Sequence, residues 1–537
     1  MVRKTGFLSG SGLVAVAGLA LGLGAAPADA GDAILQYFEG RWETMERRMP
    51  DIFMAGYEAL WVPPPSVADS GGFSVGYDVY DRFNLGAPFW QSLYGTEESF
   101  DRLEDEMERA GIQLYIDAVL NHNGFSDASS PGFVEGGDYP GFVTTLPEDP
   151  DGDFHGAFEG GDKNMRLSGL IDIAHEKNYR FTRHPVPGSP NPIPNETPRE
   201  SNRALYPDLD LPMEFGRHPF NLEDPMAGDP TEENATGLLM RWVQYMVEVK
   251  GVDGFRLDAV KHMEPWVFTN FYDPTLHQLG KNPLDPTGST RYTPFSFGEA
   301  LDGSFDLLNQ YTRKDGFGNR DVLDFPLFFA MRDVFDQNGF GDMRKLEFAA
   351  FDGSDGNFND GSRGVPFVNS HDDFGGGFFN GFNNVPHALI MTRPGFPVVY
   401  YNAKEFGDGR DFPKDGRGDA IGNFGNVLTT LKYINDAYGR GNFQTRWINE
   451  DIYIFERENS MLVGLTDNGA AGFDERTVDT AFAPGTVLVE VTGHAESSVA
   501  DPFDDIPSSV TVDGSGRATI RIPRNGNPDG GVDRKST

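Results

Sequence analysis

The sequence predicts an α/β protein: a (β/α)8 TIM barrel with a loop-rich domain inserted after the third strand and an antiparallel β-sandwich at the carboxyl terminus. Three observations lead to this prediction. Short apolar segments alternate with amphipathic helical segments at regular spacing, which is the pattern of a parallel sheet covered by helices. The rhythm breaks between residues 123 and 230 and then resumes. After residue 440 it gives way to short alternating strands.

The barrel region contains eight strand-like segments, the number that closes a (β/α)8 barrel. An open, doubly wound sheet is the rival fold, but no Gly-x-Gly-x-x-Gly motif follows the first strand, which weakens a nucleotide-binding version. Helical spacing of apolar residues predicts helices over residues 41–54, 97–110, 232–249 and 423–438. The predicted strands are Ala33–Phe38, Ala59–Val62, Gly111–His122, Gly251–His262, Phe295–Ala300, Asp321–Phe328, Gly364–Asp372 and Phe396–Tyr401.

The remaining segments set the domain boundaries. Residues 123–230 are rich in Gly, Pro, Asp and Asn, and so long a structureless loop is improbable inside a compact domain, so we predict a small inserted domain. We expect residues 31–122 and 231–440 to form the barrel. Residues 441–525 are predicted to form the β-sandwich and residues 526–537 a polar tail.

The amino terminus has the pattern of a secretory signal peptide. Arg3 and Lys4 precede the apolar run Leu13–Leu23, which is too short to cross a bilayer, and Ala28-Asp-Ala30 is an A-x-A cleavage pattern. We therefore expect cleavage near Ala30. The mature protein is predicted to be secreted, either to the cell exterior or to the periplasm, and to have no membrane partner.

Composition narrows the possible partners. The chain has no cysteine and a formal net charge of −38. The first excludes disulfides and thiolate metal sites, and the second argues against nucleic acid, because phosphate would be repelled. We expect a neutral or cationic partner, and a hard, oxygen-liganded cation is compatible with the abundant carboxylates.

Ionisable residues end several of the predicted strands. Asp117 and His122 end the third strand, Arg256 and Asp258 the fourth, Glu299 the fifth, and His371 with Asp372 the seventh. Because strand ends meet at one rim of a barrel, the carboxylates should converge there. Two facing carboxyl groups are what glycosidic cleavage needs. An Arg-x-Asp pair inside a strand could instead be a purely structural ion pair. Arg256 should keep Asp258 ionised, while acidic neighbours raise the pKa of Glu299.

Four ordered motifs resemble the signature regions of the alpha-amylase family of glycoside hydrolases (family 13). They are Asp117-Ala-Val-Leu-Asn-His122, Gly254-Phe-Arg-Leu-Asp-Ala-Val-Lys-His262, Gly298-Glu299 and Phe367-Val-Asn-Ser-His-Asp372. Tyr206-Pro-Asp-Leu-Asp210 is similar to a further family motif in the inserted domain. The match is spread over residues 33–465, and four motifs in order at strand ends make chance similarity improbable.

The resemblance implies a retaining mechanism and a role for each matched residue. Asp258 matches the nucleophile, Glu299 the acid/base, and Asp372 the carboxylate that holds the 2- and 3-hydroxyls of the sugar. Residues similar to those that contact the nucleophile and the sugar at the −1 subsite are Arg256, His122 and His371. Tyr77 matches the aromatic platform under that sugar, although a packing tyrosine is the simpler alternative for it.

The resemblance also implies a structural Ca²⁺ and an endo-acting enzyme. Asn121, Asp208 and the His262 carbonyl are similar to the family's calcium ligands. Asp172 or Glu176 could complete the calcium shell, but acidic residues in Asp-rich loops are usually in solvated turns, so we do not include them among the predicted ligands. Lys261 and His262 resemble the ending typical of alpha-amylases proper, where these residues contact sugars on the leaving-group side.

The sequence also departs from the family pattern. Ser370 stands where chloride-activated members often have Asn. This departure argues against chloride dependence.

The leading hypothesis is a secreted, endo-acting α-1,4-glucan hydrolase that degrades starch-like or glycogen-like polysaccharides and works as a monomer. Two alternatives on the same scaffold are an α-glucanotransferase and an exo-acting α-glucosidase, because water and a sugar hydroxyl compete for one glycosyl-enzyme. A non-catalytic sugar-binding homologue is a third alternative. Such homologues typically lose one or more of the three carboxylates, and all three are present here.

Overall fold

The computed structural model describes residues 32–87, 91–125, 139–156, 163, 166–183, 232–280, 291–337, 340–351, 363–372, 384–406, 412, 416–422, 426–498 and 501–525. The predicted signal peptide, the Tyr206–Asp210 motif with Asp208, and the polar tail lie outside these residues. In the described part of the chain, no helix has the length and hydrophobicity that a bilayer crossing requires.

Eight parallel strands form the central sheet and confirm the predicted barrel. Their spatial order is β7-β6-β5-β4-β3-β2-β1-β8. The sheet closes where Phe367, just beyond β7, forms a parallel bridge with Val398 of β8 and Val398 N donates to the Pro366 carbonyl at 2.8 Å. The strands are β1 Ile34–Phe38, β2 Ala59–Val62, β3 Gln113–Ala118, β4 Gly254–Leu257, β5 Phe295–Gly298, β6 Arg320–Leu323, β7 Gly364–Val365 and β8 Val398–Asn402.

The two faces of these strands bury different sets of side chains, as a residue period of two requires. One buried cluster fills the barrel interior and includes Ile34, Phe38, Trp61, Tyr115 and Phe297. The other lies between the sheet and the surrounding helices. Positions of the same parity as the interior residues therefore point toward the barrel axis. These positions include Gln36, Asp117, Arg256 and Glu299.

Helices cover the outside of the sheet. Several begin at a side-chain cap, such as Thr96, which accepts from Ser99 N, and Asn234, which accepts from Gly237 N. The helices are α1 Trp42–Ala55, α2 Glu97–Ala110, α3 Ala235–Glu248, α4 Pro265–Val267, α5 Asp273–Leu279, α6 Phe305–Asn309, α7 Phe325–Phe335, α8 Asn384–Thr392 and α9 Val427–Tyr438. A π-helical turn, Phe268–Tyr272, joins α4 to α5, and short 3-10 helices span Leu167–Gly169, Val260–His262, Met343–Leu346 and His494–Glu496.

Two predicted strands are much shorter in the structure. The strand predicted over Asp321–Phe328 ends at Leu323, because Asp324 caps α7 by accepting from Leu327 N and Pro326 occupies its first turn. The apolar run continues from strand into helix, so apolar content alone could not locate the boundary. The strand predicted over Gly364–Asp372 contains only Gly364 and Val365, so His371 and Asp372 lie on a loop.

The described part of the insertion is mostly irregular and is held by polar contacts. Arg183 forms a fully buried ion pair with Asp153 at 2.7 Å and also donates to the carbonyl of Gly141. A two-stranded ribbon, Phe181–Thr182 with Glu232–Glu233, brings the chain back to α3. A second short ribbon, Val67–Ala68 with Val79–Asp81, precedes the insertion and was not predicted.

The carboxyl-terminal region contains antiparallel sheets, as predicted. Three consecutive strands form the largest of them, and the other strands pair in two ribbons. Met343 N on the barrel side donates to the Glu450 carbonyl at 2.8 Å, which ties this region to the barrel. The strands are β9 Phe443–Ile448, β10 Ile452–Arg457, β11 Met461–Thr466, β12 Phe473–Asp479, β13 Val487–Val489, β14 Ser509–Thr511 and β15 Arg517–Pro523.

Candidate active site

The candidate site is built around the buried guanidinium of Arg256, at the carboxyl ends of the barrel strands. Arg256 Nη1 donates to Asp117 Oδ1 at 2.6 Å and to Asp258 Oδ1 at 2.8 Å. Nη2 donates to Glu299 Oε2 at 2.5 Å. One cation therefore binds three carboxylates. Asp117 lies in β3, and Asp258 and Glu299 directly follow β4 and β5.

The register of the strands explains this meeting. Asp117 of β3 lies opposite Arg256 of β4, so two inward side chains of opposite charge are neighbours. Glu299 N donates to the Leu257 carbonyl at 2.8 Å, and Val260 N donates to the Glu299 carbonyl at 3.0 Å. The backbone around Asp258 is therefore tied to the backbone of Glu299 on both sides.

The chain turns sharply at Ala259, two residues after β4 ends at Leu257. Ala259 has a φ of 50° in the left-handed region and directly precedes the 3-10 helix Val260–His262. This conformation costs a residue with a Cβ roughly 1–2 kcal/mol. The surrounding contacts thus maintain a strained turn immediately after Asp258, which is common where a functional side chain must be held in place.

The carboxylates differ in their access to solvent. The side chain of Asp258 is 9% exposed, that of Glu299 15% and that of Asp372 42%. Asp117 beneath them is fully buried. The site therefore has a closed floor and an open rim, with Asp372 at the rim.

Burial raises the pKa of both Asp258 and Glu299, and Arg256 opposes that rise in both. The charge of Asp372 acts in the same direction as burial on each of them. This differs from the prediction that Arg256 would favour the ionised form of Asp258 alone, because Arg256 bonds to both groups. The clearer difference is that Arg256 Nη1 holds Asp258 together with Asp117, whereas Glu299 bonds to Nη2 and is more exposed.

Burial favours the protonated form of the carboxyl groups in this cluster. It raises the pKa of Asp117 to about 7 even though Arg256 opposes it. Asp117, Asp258 and Glu299 share one guanidinium, so ionisation of one of them favours retention of a proton on the others.

Two histidines flank the carboxylates as neutral imidazoles. His122 Nε2 lies 3.9 Å from Asp258 Oδ2, and burial together with the Arg82 charge lowers the pKa of His122 to about 3. His371 Nε2 lies 3.3 Å from Asp372 Oδ2. Burial and the Arg256 charge hold the pKa of His371 well below its usual value. Both rings can therefore offer directed hydrogen bonds without adding charge.

Tyr77 lies beside the same cluster. Its hydroxyl donates to Asp117 Oδ2 at 2.7 Å, and its ring centroid lies 6.0 Å from Arg256 Cζ. Gly76 sets its approach: Gly76 has a φ of 102°, and a Cβ there would lie 2.9 Å from the Pro64 carbonyl oxygen. The tyrosine ring is half-buried, so one part packs in the site while another part remains open to a ligand.

The other predicted residues lie around this centre. Lys261 Nζ donates to the Leu301 carbonyl at 3.0 Å on the rim next to Glu299. The charge of His262 is close enough to lower the pKa of Asp258, although burial has the larger, opposite effect. Asn121 is buried at the end of the β3 segment. Asp208 lies outside the described residues.

A second polar cluster lies next to Asn121. Ile173 N donates to the Asn121 carbonyl at 2.9 Å, which brings Asp172 beside His122. Asp172 Oδ2 is 2.5 Å from His155 Nδ1, while the buried Asp172 Oδ1 makes no hydrogen bond of normal geometry, although the Asp172 carboxylate also interacts with the Asn121 side chain. A buried carboxylate beside an amide oxygen is a set of donors that suits a hard cation.

Sequence reasoning missed the aromatic and amide groups beneath the site. Gln36 and Trp61 both face the interior; Gln36 Nε2 lies 2.7 Å from His371 Nδ1, and Trp61 Nε1 donates to Asp117 Oδ2 at 3.4 Å. Phe412 packs with its centroid 5.3 Å from that of His371. Counting alternate positions from Ile34 would have placed Gln36 inward, but no signal in the sequence joins Phe412 to His371.

Bacterial starch-active enzymes are similar in sequence to this chain over most of its length. The chain is 24% identical over 536 residues to an alpha-amylase of Geobacillus stearothermophilus, which covers 91% of this chain and 87% of that protein. It is also 24% identical over 490 residues to a cyclomaltodextrin glucanotransferase of Thermoanaerobacterium thermosulfurigenes, covering 84% of this chain and 58% of that one. No family model matches the chain.

A solved structure shows the same fold. Alpha-amylase I of Eisenia fetida in complex with maltohexaose superposes with a TM-score of 0.60 at 17% sequence identity, covering 94% of this chain and 98% of that one. At this identity the superposition concerns the fold alone.

Proposed function

The chain is a glycoside hydrolase of the alpha-amylase family, and from this premise we propose that it is a secreted, endo-acting, retaining α-1,4-glucan hydrolase. The observation that carries the proposal is the bonding of Asp258 and Glu299 to one guanidinium. This contact places the two carboxyl groups side by side at the strand ends. The retaining mechanism, with one carboxylate as nucleophile and the other as acid/base, is what the resemblance of the four motifs implies.

In the proposed reaction Asp258 attacks the anomeric carbon while Glu299 donates its proton to the glycosidic oxygen. The bond to the leaving sugar breaks, and the glycosyl group becomes an ester of Asp258. Glu299, now ionised, takes a proton from water, whose oxygen attacks the same carbon and frees Asp258. Asp372 accepts hydrogen bonds from sugar hydroxyls at the open rim, and Tyr77 supplies a ring face beneath the sugar.

An α-glucan polymer is the substrate that suits the surface and the relatives. A neutral polysaccharide needs no electrostatic attraction, so a net charge of −38 does not oppose binding. Relatives named alpha-amylase and cyclomaltodextrin glucanotransferase both match over most of this chain. The second name makes an α-glucanotransferase the specific alternative, since both reactions share one glycosyl-enzyme.

A product time course on soluble starch tests the proposal. We expect iodine staining to fall early, while few reducing ends have formed, and a range of oligosaccharides to be present from the first samples, because internal cleavage shortens the polymer quickly. Glucose or maltose alone from the outset would indicate an exo-acting enzyme. Redistribution of chain lengths or cyclic products without new reducing ends would indicate a transferase. The variant Asp258→Asn serves as the blank.

We also propose that a structural Ca²⁺ lies between the barrel and the insertion. The proposed donors are the Asn121 side chain, the His262 carbonyl and the buried Asp172 Oδ1, with Asp208 as a further ligand. Within the described ranges no three His, Asp or Glu side chains converge to hold a metal by themselves. Amide and carbonyl oxygens would therefore supply much of the shell, which suits Ca²⁺. The ion would compensate the buried charge of Asp172.

Chelation tests the calcium proposal. We expect excess chelator to lower the melting temperature by several degrees, because a ligand present at 100 times its Kd stabilises the folded state by about 2.7 kcal/mol. The variant Asp172→Asn should melt at a lower temperature than the wild type and lose most of its response to chelator. An unchanged wild-type melting temperature after chelation would contradict the proposal.

A further inference from the structure

Gln36 is a buried polar residue that the mechanism above does not use. It lies on β1 with its side chain toward the barrel interior and is fully buried. Its Nε2 lies 2.7 Å from His371 Nδ1, which makes it the polar partner of His371 opposite the substrate side. Burying an amide in this largely aromatic interior costs free energy unless its hydrogen bond is formed, so the contact calls for a reason.

The contact is one end of a chain of hydrogen bonds. Gln36 Nε2 to His371 Nδ1, His371 Nε2 to Tyr77 Oη, and Tyr77 Oη to Asp117 Oδ2 are each 2.7 Å long. The chain therefore runs from β1 through the loop histidine and Tyr77 to the carboxylate that shares Arg256 with Asp258. Its direction depends on where the protons are.

Simple donor counting fixes that direction when Asp117 is ionised. A carboxylate only accepts, so Tyr77 donates its single proton to Asp117 and its oxygen accepts from His371 Nε2. A neutral imidazole has one N–H, so His371 Nδ1 must then accept, and Gln36 must donate. Gln36 is the group that can enforce this arrangement, since its amide offers a donor where a carboxylate could only accept.

If the hydrogen bonds ran in the opposite direction, the buried group of Gln36 left without a partner would be one that is more costly to leave unpaired. Gln36 Oε1 is buried without a hydrogen-bond partner among the described residues. If the amide were turned around, its NH₂ would be the unpaired group, and buried N–H groups without partners are rarer than carbonyls without them. Tyr77 would then donate to His371, and Asp117 would lose a hydrogen bond. The amide orientation and the tyrosine proton therefore agree.

We propose that Gln36 is a positioning residue that holds His371 as the Nε2–H tautomer, so that this nitrogen donates to Tyr77 Oη and the Tyr77 proton stays on the hydrogen bond to Asp117. The inference rests on the proposed function for the identity of the substrate. The charged and titratable groups that face His371 are Arg256, Glu299, Asp372 and Tyr77. Phe38, Trp61 and Phe412 surround the ring and exclude water that could otherwise replace Gln36.

Two substitutions test the role of Gln36. Gln36→Glu keeps the shape but, when ionised, only accepts, so His371 would carry its proton on Nδ1 and lose the Nε2 donor. We expect kcat on starch to fall about 10- to 100-fold at alkaline pH, with a smaller change in KM, and to recover as the pH falls and a proton returns to the pair. Gln36→Met, which neither donates nor accepts, should lose activity without that recovery.

The contrast between the variants separates positioning from stability. Both are assayed across pH at a temperature where circular dichroism shows them folded, beside Gln337→Glu, the same change on an exposed position. A profile for Gln36→Glu parallel to that of the wild type, or full activity in Gln36→Met, would overturn the inference. A wild type without hydrolytic activity would instead refute the proposed function.

Discussion

Replacing Asp258 by Asn is expected to reduce hydrolysis of starch by about 10⁴-fold or more, the loss seen when an essential nucleophile or its partner is removed. An amide cannot form the ester intermediate. The protein should still fold, because burial raises the pKa of Asp258 and a neutral isostere removes a charge that the buried site disfavours. We expect the melting temperature to stay the same or to rise, as it does when strained functional groups are neutralised. Initial rates and thermal melts of the purified variant provide both measurements.

A matched control and a rescue experiment sharpen this prediction. Asp479→Asn makes the same change on a β12 side chain that is 86% exposed, and it should leave activity intact. With Asp258→Ala, azide and an α-maltotriosyl fluoride donor should give a β-glycosyl azide, because the small anion attacks from the space that the carboxylate has left. Unchanged turnover in Asp258→Asn would overturn the assignment of the nucleophile.

Replacing Glu299 by Gln is expected to lower kcat on starch by about 10²- to 10⁴-fold, the usual contribution of a positioned acid. The loss should depend on the leaving group. Fluoride leaves without a proton, so α-maltosyl fluoride should still form the glycosyl-enzyme, whose hydrolysis is slow because no base activates water. Mass spectrometry of the quenched variant should therefore detect a covalent adduct of Asp258.

The pH dependence gives a second measure of Glu299. Burial and the charges of Asp372 and Asp258 raise the pKa of Glu299, although Arg256 opposes them. The protonated form is the active acid, so wild-type kcat/KM should fall as the pH rises through that raised pKa, and Glu299→Gln should lose this alkaline limb. Glu98→Gln, on a side chain that is 85% exposed, should keep it. Equal losses on starch and on the fluoride would contradict the role of acid.

The spacing of apolar segments was enough to predict the barrel, because eight strands with covering helices leave few other ways to bury their side chains. The residues at which individual strands and helices begin and end were harder to predict. Asp321–Phe328 reads as one apolar run, yet Asp324 and Pro326 start a helix inside it. His371 and Asp372 were expected at a strand end, but they lie on a loop beyond Val365.

At the site, the motifs located the ionisable residues but not their contacts. Nothing in the local sequence shows that Arg256 bonds to Glu299 as well as to Asp258, because that contact depends on the register between β4 and β5. Gln36 and His371 are 335 residues apart in the chain and meet only when the barrel closes. Pair contacts of this kind come from tertiary structure, whereas residue types at strand ends follow from local pattern.

The sharing of Arg256 has a consequence for the order of events in a catalytic cycle. While Asp258 is a free carboxylate, its charge helps to keep the proton on Glu299. Once Asp258 becomes an ester, its negative charge disappears, and Arg256 has one fewer carboxylate besides Glu299 to compensate. The proton affinity of Glu299 should then drop at the stage when it must act as a base. Hydrolysis of the ester restores the charge on Asp258, and Glu299 again favours its protonated form. Formation and hydrolysis of the bond between Asp258 and the sugar would therefore determine when Glu299 releases and regains its proton.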